Sequence, residues 1–463
     1  MTSASAVREA ILAAPLETSN HGESPQPGTL YTPPSHLKAL RLDAHVIVGG
    51  RGVGKSFWTA ALQSDALRKT LGASLKELDG LVIRTGFASK DSQEYPNADA
   101  FEKLLDDGGE PYDIWRAVIL RWVANLVGAT IPVRTWQATV NWLKQEPEAA
   151  VELMSRERAW RGLIIFDALD RTSANWQRMD DIVRGLLRAV LWLKSHPGLY
   201  AKVFLREDQA ERTVFNFPDA SKLLATKAEL VWARHDLHGL LWQRLISGPD
   251  SSAGVIREMC SAYLSDDQWQ LPDEMKRETD TQRQAFGRLA GPWMGRDRRR
   301  GVPYAWSAGH LADGRGQSSP RSFLAAIHQA AEDSRDRYPE HEFALHYESI
   351  KRGILKASEI RVAEVAEDYP WVTDTLGALR GLIVPCAYEH LLELWAKKFP
   401  NGPREIRSDR LPAQHAGRGW DGIRDDLQRL GLIETKKDGR IDMPDLYRVG
   451  SGLGRKGGVA PKS

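Results

Sequence analysis

The first half of the chain alternates short, continuously apolar runs with longer stretches in which apolar residues recur every three or four positions. The apolar runs predict buried strands, and the longer period predicts amphipathic helices. Strands that alternate with helices predict an α/β fold, in which a parallel sheet is covered by helices on both faces. We place the limits of this domain near 36 and 246. The predicted strands lie in AHVIVGG (44–50), LDGLVIRTGF (78–87), GLIIFDALD (162–170) and AKVFLRED (201–208), and a last short strand precedes a helix within AELVWARHDLHGLLWQRLIS (228–247).

The rest of the chain divides by composition and by periodicity. Residues 1–35 are rich in Ser, Pro, Thr and Gly, which predicts a flexible leader. Residues 247–345 have a helical pattern and predict a small lid domain. Residues 346–450 have a helical pattern. Its last helix starts at about Trp420 and stops at Gly431, and a hairpin follows that turns at Asp438 and Gly439, an order typical of a winged-helix-like domain. Residues 451–463 predict a basic, flexible tail.

A glycine-rich loop joins the first predicted strand to the following helix. It fits the pattern GxxxxGK(S/T) without a mismatch. Its glycines let backbone N–H groups surround phosphates, Lys55 adds a charge for the β- and γ-phosphates, and the Ser56 hydroxyl is a ligand for Mg²⁺. The pattern predicts an ATP site with Mg²⁺, although it does not separate ATP from GTP. The predicted nucleotide contacts are Gly49, Gly50, Arg51, Gly52, Val53, Gly54, Lys55, Ser56 and the adjacent Phe57.

Asp167 follows the apolar run LIIF and is the candidate metal carboxylate. A nucleotide site of this kind needs an acidic residue at the end of a neighbouring strand. The other interpretation of Asp167 is a side chain that only caps the turn after a buried strand. The strand in LVIRTGF lies between the two motifs in the chain, and we expect it beside them in the sheet.

The longer string LIIFDALDR, read with the glycine-rich loop, resembles the STAND branch of P-loop NTPases over residues 42–246. The resemblance implies a sheet of the AAA+ kind, with an extra strand between the two motif strands. Many such relatives carry an acid directly after the metal Asp, where this chain has Ala168. Asp170 is therefore the candidate for activating water, or else it orients the loop or pairs with Arg171. A missing base predicts slow hydrolysis, as in a switch.

Two arginines occupy positions that the resemblance marks as nucleotide sensors. Arg206 ends the strand AKVFL, where an arginine would stabilise charge on the γ-phosphate; alternatively it is a surface residue paired with Glu207 or Asp208. Arg321, in GQSSPRSFLAAIHQAA, matches the arginine that opens a lid helix over the nucleotide. The alternative is ordinary helix-entry chemistry after Pro320.

Charge and cysteine content narrow the classes of partner. The chain has 63 basic and 61 acidic side chains and a formal net charge of +2, so nucleic-acid binding would have to be local. The cysteines, Cys260 and Cys386, are far apart, and neither a secretory signal nor an apolar membrane span is found. A cytoplasmic protein with no membrane contact is predicted. The densest basic cluster is GRDRRRG (295–301), which suits either phosphate binding or a solvated loop.

Three functions fit these motifs. The first is an ATP-dependent switch that controls a C-terminal interaction module, with a protein partner or effector and a homo-oligomer that forms on ATP binding. The resemblance makes bacterial signalling or anti-phage defence the setting. The second is a DNA-associated AAA+ ATPase with its winged helix on duplex DNA, although Asp421, Asp425 and Asp426 dilute the charge of the recognition helix. The third, a small-molecule kinase, is disfavoured because no compact arginine-rich lid follows the loop.

Overall fold

A computed structural model describes residues 3–16, 25–72, 74–406, 408 and 410–456. They form two compact units. The first unit is built on Pro34–Val231. The second comprises the described parts of Met1–Asn20 and Trp232–Ser463 together with Gln26–Pro33.

The first unit contains a five-stranded parallel sheet, as the alternating pattern predicts. Its strands are β1 (Val46–Val48), β2 (Leu81–Phe87), β3 (Arg161–Phe166), β4 (Leu199–Leu205) and β5 (Ala228–Glu229). Their order in the sheet is β2-β3-β4-β1-β5, so β4 lies between β1, which leads into the glycine-rich loop, and β3, which ends before Asp167. A strand in this place is what the resemblance implies. β2 pairs with β3 alone and lies at the edge, so the expectation that it lies beside both motif strands is wrong, because β1 is not its neighbour.

The helices of this unit begin and end where local chemistry favours it. The helix Pro111–Val127 has proline in its first turn and ends at Gly128 in a left-handed conformation. Asn175 caps the helix Trp176–Leu193 by accepting the N–H of Arg178. The helices are Pro34–Leu40, Lys55–Gln63, Asp65–Gly72, Ala98–Asp106, Pro111–Val127, Trp136–Gln145, Pro147–Ser155, Trp176–Leu193 and Ser221–Leu224, with short 3-10 turns at Lys76–Leu78, Leu169–Arg171 and Arg212–Phe215.

A buried lysine on β4 holds the chain segment that leads into β1. The Lys202 ammonium donates hydrogen bonds to the carbonyls of Ala39 at 2.8 Å, Arg41 at 2.6 Å and Ala44 at 3.0 Å. The first of these carbonyls belongs to the last turn of the helix Pro34–Leu40, whose terminal carbonyls lack helical partners. Lys202 therefore fixes the start of β1, and with it the position of the loop that follows.

The second unit is mainly helical, and it includes part of the predicted flexible leader. The helix Ala4–Ala13 buries Val7, Ala10 and Ile11, so residues 3–16 are ordered by packing of these apolar side chains. The other helices are Arg234–Ile246, Asp250–Met259, Asp273–Arg277, Thr279–Ala290, Pro303–Gly309, Pro320–Arg337, Tyr347–Asp368, Pro370–Gly377, Tyr388–Lys398, Trp420–Arg429 and Asp445–Arg448, with 3-10 turns at Pro27–Thr29, Arg298–Arg300, Pro403–Glu405 and Ala416–Arg418.

Two short antiparallel hairpins complete this unit. One, β6 (Tyr263–Ser265) with β7 (Gln268–Gln270), turns at Asp266 and Asp267, both with positive φ. The pattern did not predict it, because an Asp-Asp pair is a weaker turn signal than Asn-Gly or Asp-Gly. The other, β8 (Glu434–Thr435) with β9 (Ile441–Asp442), follows the helix Trp420–Arg429 as predicted.

The region predicted as a winged helix has the expected helix stop, and its tail is partly packed. Gly431 has φ 72° just after the helix, which accounts for the glycine there. Cys386 forms an isolated antiparallel bridge with Ile441 of β9. Leu453 is buried and donates its N–H to the Arg448 carbonyl, so 451–456 belong to the fold rather than to a flexible tail. The rest of the predicted tail lies outside the described residues.

Among the described helices, none is both long and apolar enough to cross a membrane.

Candidate functional site

The glycine-rich loop connects β1 to the helix Lys55–Gln63 and needs its glycines for shape. Gly52 and Gly54 have φ of 77° and 107°, where side chains other than hydrogen are strained. A Cβ at Gly49 would overlap Val53. The Gly49 N–H donates to the Leu205 carbonyl of β4 at 3.1 Å, which ties the loop to the sheet. The loop is thus a compact turn that leads directly into a helix N-terminus, a favourable place for an anion.

Lys55 folds back over its own loop. Its ammonium donates to the carbonyls of Gly49 and Gly50, both at 2.7 Å. Burial, followed by the nearby Arg206 guanidinium, lowers the pKa of Lys55 to about 8, while the Asp167 carboxylate opposes this shift. The ammonium group therefore lies at the loop, and its protonated form is less favoured than that of a free lysine. A bound anion would stabilise the protonated form.

Asp167 and Ser56 meet across the sheet, although 111 positions separate them. The Ser56 hydroxyl donates to Asp167 Oδ2 at 3.1 Å, and the Thr59 hydroxyl donates to the same oxygen at 3.4 Å. The other oxygen accepts the N–H of Ala168 at 2.8 Å. One oxygen thus caps the turn, as the second interpretation of Asp167 predicts, while the other faces the loop; the metal role of Asp167 stays a prediction. Burial raises the pKa of Asp167, although its hydrogen bonds oppose this shift.

Arg206 lies between two carboxylates at the end of β4. Its Nη1 is 3.6 Å from Asp170 Oδ2, and its Nε is 3.6 Å from Asp208 Oδ1. The alternative interpretation of Arg206 is therefore right about the pairing with Asp208, but the side chain is only 15% exposed. Asp170 pairs with Arg206, while Arg171 donates to the Ser89 carbonyl. The electrostatic partners of Lys55 include Arg206, Asp170 and Asp208, which places all of them near the loop.

Ala168 stands directly after Asp167 in a left-handed conformation, with φ 57°. It separates β3 from the 3-10 turn Leu169–Arg171 that carries Asp170. The methyl side chain of Ala168 offers neither a base nor a hydrogen-bond donor at this position. The nearest acidic residue along the chain after Asp167 is thus Asp170, whose carboxylate is already engaged by Arg206.

The remaining predicted loop residues serve different local purposes. Val53 is buried, and Arg51 is partly exposed. The Phe57 ring packs edge-on against Trp58, with centroids 5.0 Å apart. Trp58 is itself buried and donates its indole N–H to His36 Nδ1. Phe57 and Trp58 therefore help to anchor the first turn of the helix that begins at Lys55.

Arg321 belongs to the second unit and stands at the start of the helix Pro320–Arg337. The predicted helix start is confirmed, with Ser319 as the N-cap residue and proline in the first turn. Arg321 Nη1 is 2.7 Å from Glu364 Oε1, and Arg361 Nη1 is 3.2 Å from the other oxygen of the same carboxylate. The contact of Arg321 with a nucleotide stays a prediction.

Sequence reasoning missed one residue of this site, Thr59. It lies one helical turn after Ser56, so the 3.6-residue period could have placed both hydroxyls on one face. Asp208, in contrast, was named from the sequence as one of two possible partners of Arg206, and the structure shows this pair with Nε and Oδ1 3.6 Å apart.

The chain was compared with models of known protein families and with curated proteins, and neither comparison gave a match. Among the described residues, no group of three or more His, Cys, Asp or Glu side chains could hold a metal ion. The Ser56 and Asp167 oxygens nevertheless fit Mg²⁺, which usually takes one or two protein oxygens and completes its shell with phosphates and water.

We expect nucleotide affinity to fall as the pH rises above about 8, the pKa of Lys55. A phosphate anion favours the charged ammonium, so above this pH the protein must take up a proton in order to bind. At one unit above the pKa, the Kd should be about tenfold higher than at neutral pH. Titration with a fluorescent ATP analogue between about pH 7 and 9.5 measures this. The Lys55→Ala variant should show a flat profile, and a flat profile in the parent protein would contradict the prediction.

Proposed function

We propose that the first unit binds ATP with Mg²⁺ at the glycine-rich loop and hydrolyses it slowly, and that the nucleotide state acts as a switch on the second unit. The observation that carries this proposal is the hydrogen bond between the Ser56 hydroxyl and the Asp167 carboxylate at 3.1 Å. It joins two motifs that lie far apart in the chain. It does so beside Lys55 and a helix N-terminus, the arrangement that triphosphate binding requires.

Each residue of the site has a role that follows from its chemistry. The loop N–H groups and Lys55 would hold the phosphates, and Ser56 with Asp167 would hold the metal. Mg²⁺ held by these oxygens would supply positive charge to offset the charge of the phosphates. Thr59 keeps the Asp167 carboxylate oriented by donating to Oδ2. Arg206 lies close enough to Lys55 to lower its pKa, and it would add positive charge where the γ-phosphate develops negative charge.

Slow hydrolysis follows from the residues available to activate water. Ala168 has no proton-accepting group, and Asp170 is paired with Arg206 at 3.6 Å. The guanidinium occupies one side of this carboxylate, which leaves fewer of its oxygen lone pairs to contact a water molecule. We propose that Asp170 holds the attacking water less directly than an unpaired carboxylate at position 168 would, and that hydrolysis is slow for this reason. Such a site retains bound ATP for long periods, which suits a switch better than a motor.

A carboxylate restored at position 168 tests this explanation. The parent protein should bind ATP and release phosphate slowly, and Ala168→Glu should raise the rate of release at least tenfold, since general bases contribute about 100-fold or more. Ala168→Gln is the matched control, because it has the same size and the same backbone strain but no base. Phosphate release in single turnovers measures both. Equal acceleration by glutamine, or no ATP binding by the parent, would contradict the proposal.

The switch is proposed to act through the helices and hairpin of the second unit, with a protein partner or a second copy of the chain as the target. The resemblance to STAND proteins supports a role in bacterial signalling or anti-phage defence. The mass of the protein in solution, with and without ATP, tests whether the nucleotide controls assembly. A change in mass that disappears in Lys55→Ala supports the switch, whereas identical masses exclude ATP-dependent self-assembly.

Binding of duplex DNA by the C-terminal hairpin is the less favoured alternative. Lys436 lies 3.1 Å from an Asp442 oxygen and also pairs with Glu434, while Arg440 pairs with Asp438 at 2.7 Å. These carboxylates neutralise two of the three cations between the strands of the hairpin, Lys436 and Arg440, and leave Lys437 as the exposed one. On the preceding helix, Trp420–Arg429, the Arg424 guanidinium is likewise paired with aspartates. The hairpin is therefore better suited to contacts with protein.

A further inference from the structure

A turn in the second unit, closed by a backbone hydrogen bond, carries four exposed arginines: Arg296, Arg298, Arg299 and Arg300. The Met294 N–H donates to the Gly301 carbonyl at 2.8 Å and closes the turn at its base. Met294 is 2% exposed and anchors it, and Gly301 has φ 92° where the chain leaves it. The backbone of this arginine turn (294–301) is thus held from within, and its charged side chains point away from the core.

Within the described residues, none of these four guanidiniums has an ion pair or hydrogen-bond partner. The only acid in the turn, Asp297, accepts the backbone N–H of Arg299 at 2.8 Å and so caps the short 3-10 helix Arg298–Arg300. Four like charges within five positions repel one another and favour a polyanionic ligand that would relieve the repulsion.

Several exposed arginines elsewhere in the unit are paired with acids. Arg283 pairs with Asp280 at 3.3 Å, and Arg335 pairs with Asp336 at 3.0 Å. In the C-terminal hairpin and its preceding helix, Arg440 and Arg424 are likewise paired with aspartates. The arginine turn is therefore a distinct local concentration of positive charge in a chain whose total charge is close to neutral.

Trp293 stands directly before the turn, and its side chain is 36% exposed. A partly exposed indole ring that adjoins these arginines in the chain offers, with them, the two contacts that single-stranded nucleic acids use: a face for stacking on bases and cations for phosphates. In a duplex the base faces are already stacked, so the ring would gain little there. We propose that the arginine turn, together with Trp293, binds single-stranded nucleic acid.

This proposal goes beyond the nucleotide switch, because none of these residues belongs to the ATP site. A neighbouring copy's nucleotide is the competing ligand for exposed arginines. Such a nucleotide would contact one or two guanidiniums, and Trp293 and the remaining guanidiniums would make no contact with it. A strand of repeated phosphates uses all four charges at once.

Fluorescence anisotropy with a labelled oligothymidine of about 20 nucleotides tests the proposal, using the full chain. We expect binding by the parent at about 50 mM salt that weakens steeply as salt rises. The variant R298A/R299A should weaken binding at least tenfold and reduce the slope of log Kd against log salt by about 1.4, or about 0.7 for each phosphate that the variant no longer neutralises. Trp293→Ala should weaken binding of the single strand by about tenfold and leave binding of a duplex of the same length unchanged.

The matched control is R283A/R335A, which removes the same charge from paired arginines of the same unit. It should bind almost as well as the parent, and equal weakening would overturn the proposal, as would failure of the parent to bind. ATP binding should be unchanged in all of these variants, which separates this test from that of the switch. If R298A/R299A lowers ATP hydrolysis in a manner that depends on protein concentration while oligonucleotide binding stays intact, the arginines serve a neighbouring copy's nucleotide and the proposal is wrong.

Discussion

Replacing Lys55 by alanine should weaken ATP binding at least about 100-fold. The variant removes the ammonium that would contact the phosphates, and hydrogen bonds between charged groups contribute about 1.5–3 kcal/mol each, so two of them account for an effect of this size. Calorimetric titration with ATP and Mg²⁺ measures the Kd of both proteins.

The matched control for this experiment is Lys69→Ala. Lys69 is exposed on the neighbouring helix Asp65–Gly72, so this variant removes the same charge without touching the loop. It should bind ATP like the parent. If Lys55→Ala retained full affinity while remaining folded by circular dichroism, the loop would not be the phosphate site.

Replacing Asp167 by asparagine should reduce the rate of phosphate release at least about 100-fold, because the amide cannot neutralise Mg²⁺ as a carboxylate does. Thermal stability should stay the same or rise. Burial raises the pKa of Asp167, which means that the folded state disfavours its charge relative to the unfolded state, and a neutral side chain of the same shape removes that cost at neutral pH. Phosphate release and the midpoint of thermal unfolding are measured on the same preparation.

A fall in hydrolysis without a fall in stability would mark Asp167 as a functional residue rather than a residue needed for folding. Asp219→Asn is the control, since Asp219 is exposed on a loop of the same unit and pairs with Lys222. It should change neither quantity. A variant of Asp167 that unfolds at much lower temperature would instead indicate that the carboxylate mainly serves the fold, by accepting the hydroxyls of Ser56 and Thr59 at Oδ2.

The strands and helices of the first unit were predictable because their apolar residues follow two clear periods. The order of the strands was not contained in those periods, since β1 and β4 pair across about 150 positions and composition does not encode such partners. The extra strand between the two motif strands was predicted from the resemblance in LIIFDALDR and not from periodicity. The edge position of β2 followed only from the structure.

In the candidate site, too, some residues could be predicted from the sequence, whereas other contacts follow only from the structure. Lys55, Ser56 and Asp167 were found because phosphate and metal chemistry restricts residue types and spacing. The pairing of Asp170 with Arg206 depends on how two turns after different strands approach each other, which spacing does not specify. The helix Ala4–Ala13 was missed for another reason, since the polar, proline-containing residues after it dominated the composition of the leader.

The fold of Lys55 onto the carbonyls of Gly49 and Gly50 has a consequence for selectivity among anions. A ligand that enters the loop must first displace two hydrogen bonds of 2.7 Å that the protein already makes with itself. Inorganic phosphate or sulfate, with a single tetrahedral group, would recover little more than those two hydrogen bonds. A triphosphate chain would make additional hydrogen bonds along the loop and at the helix N-terminus. The resting loop would thereby discriminate by the length of the phosphate chain, and we expect abundant small anions to compete poorly for it.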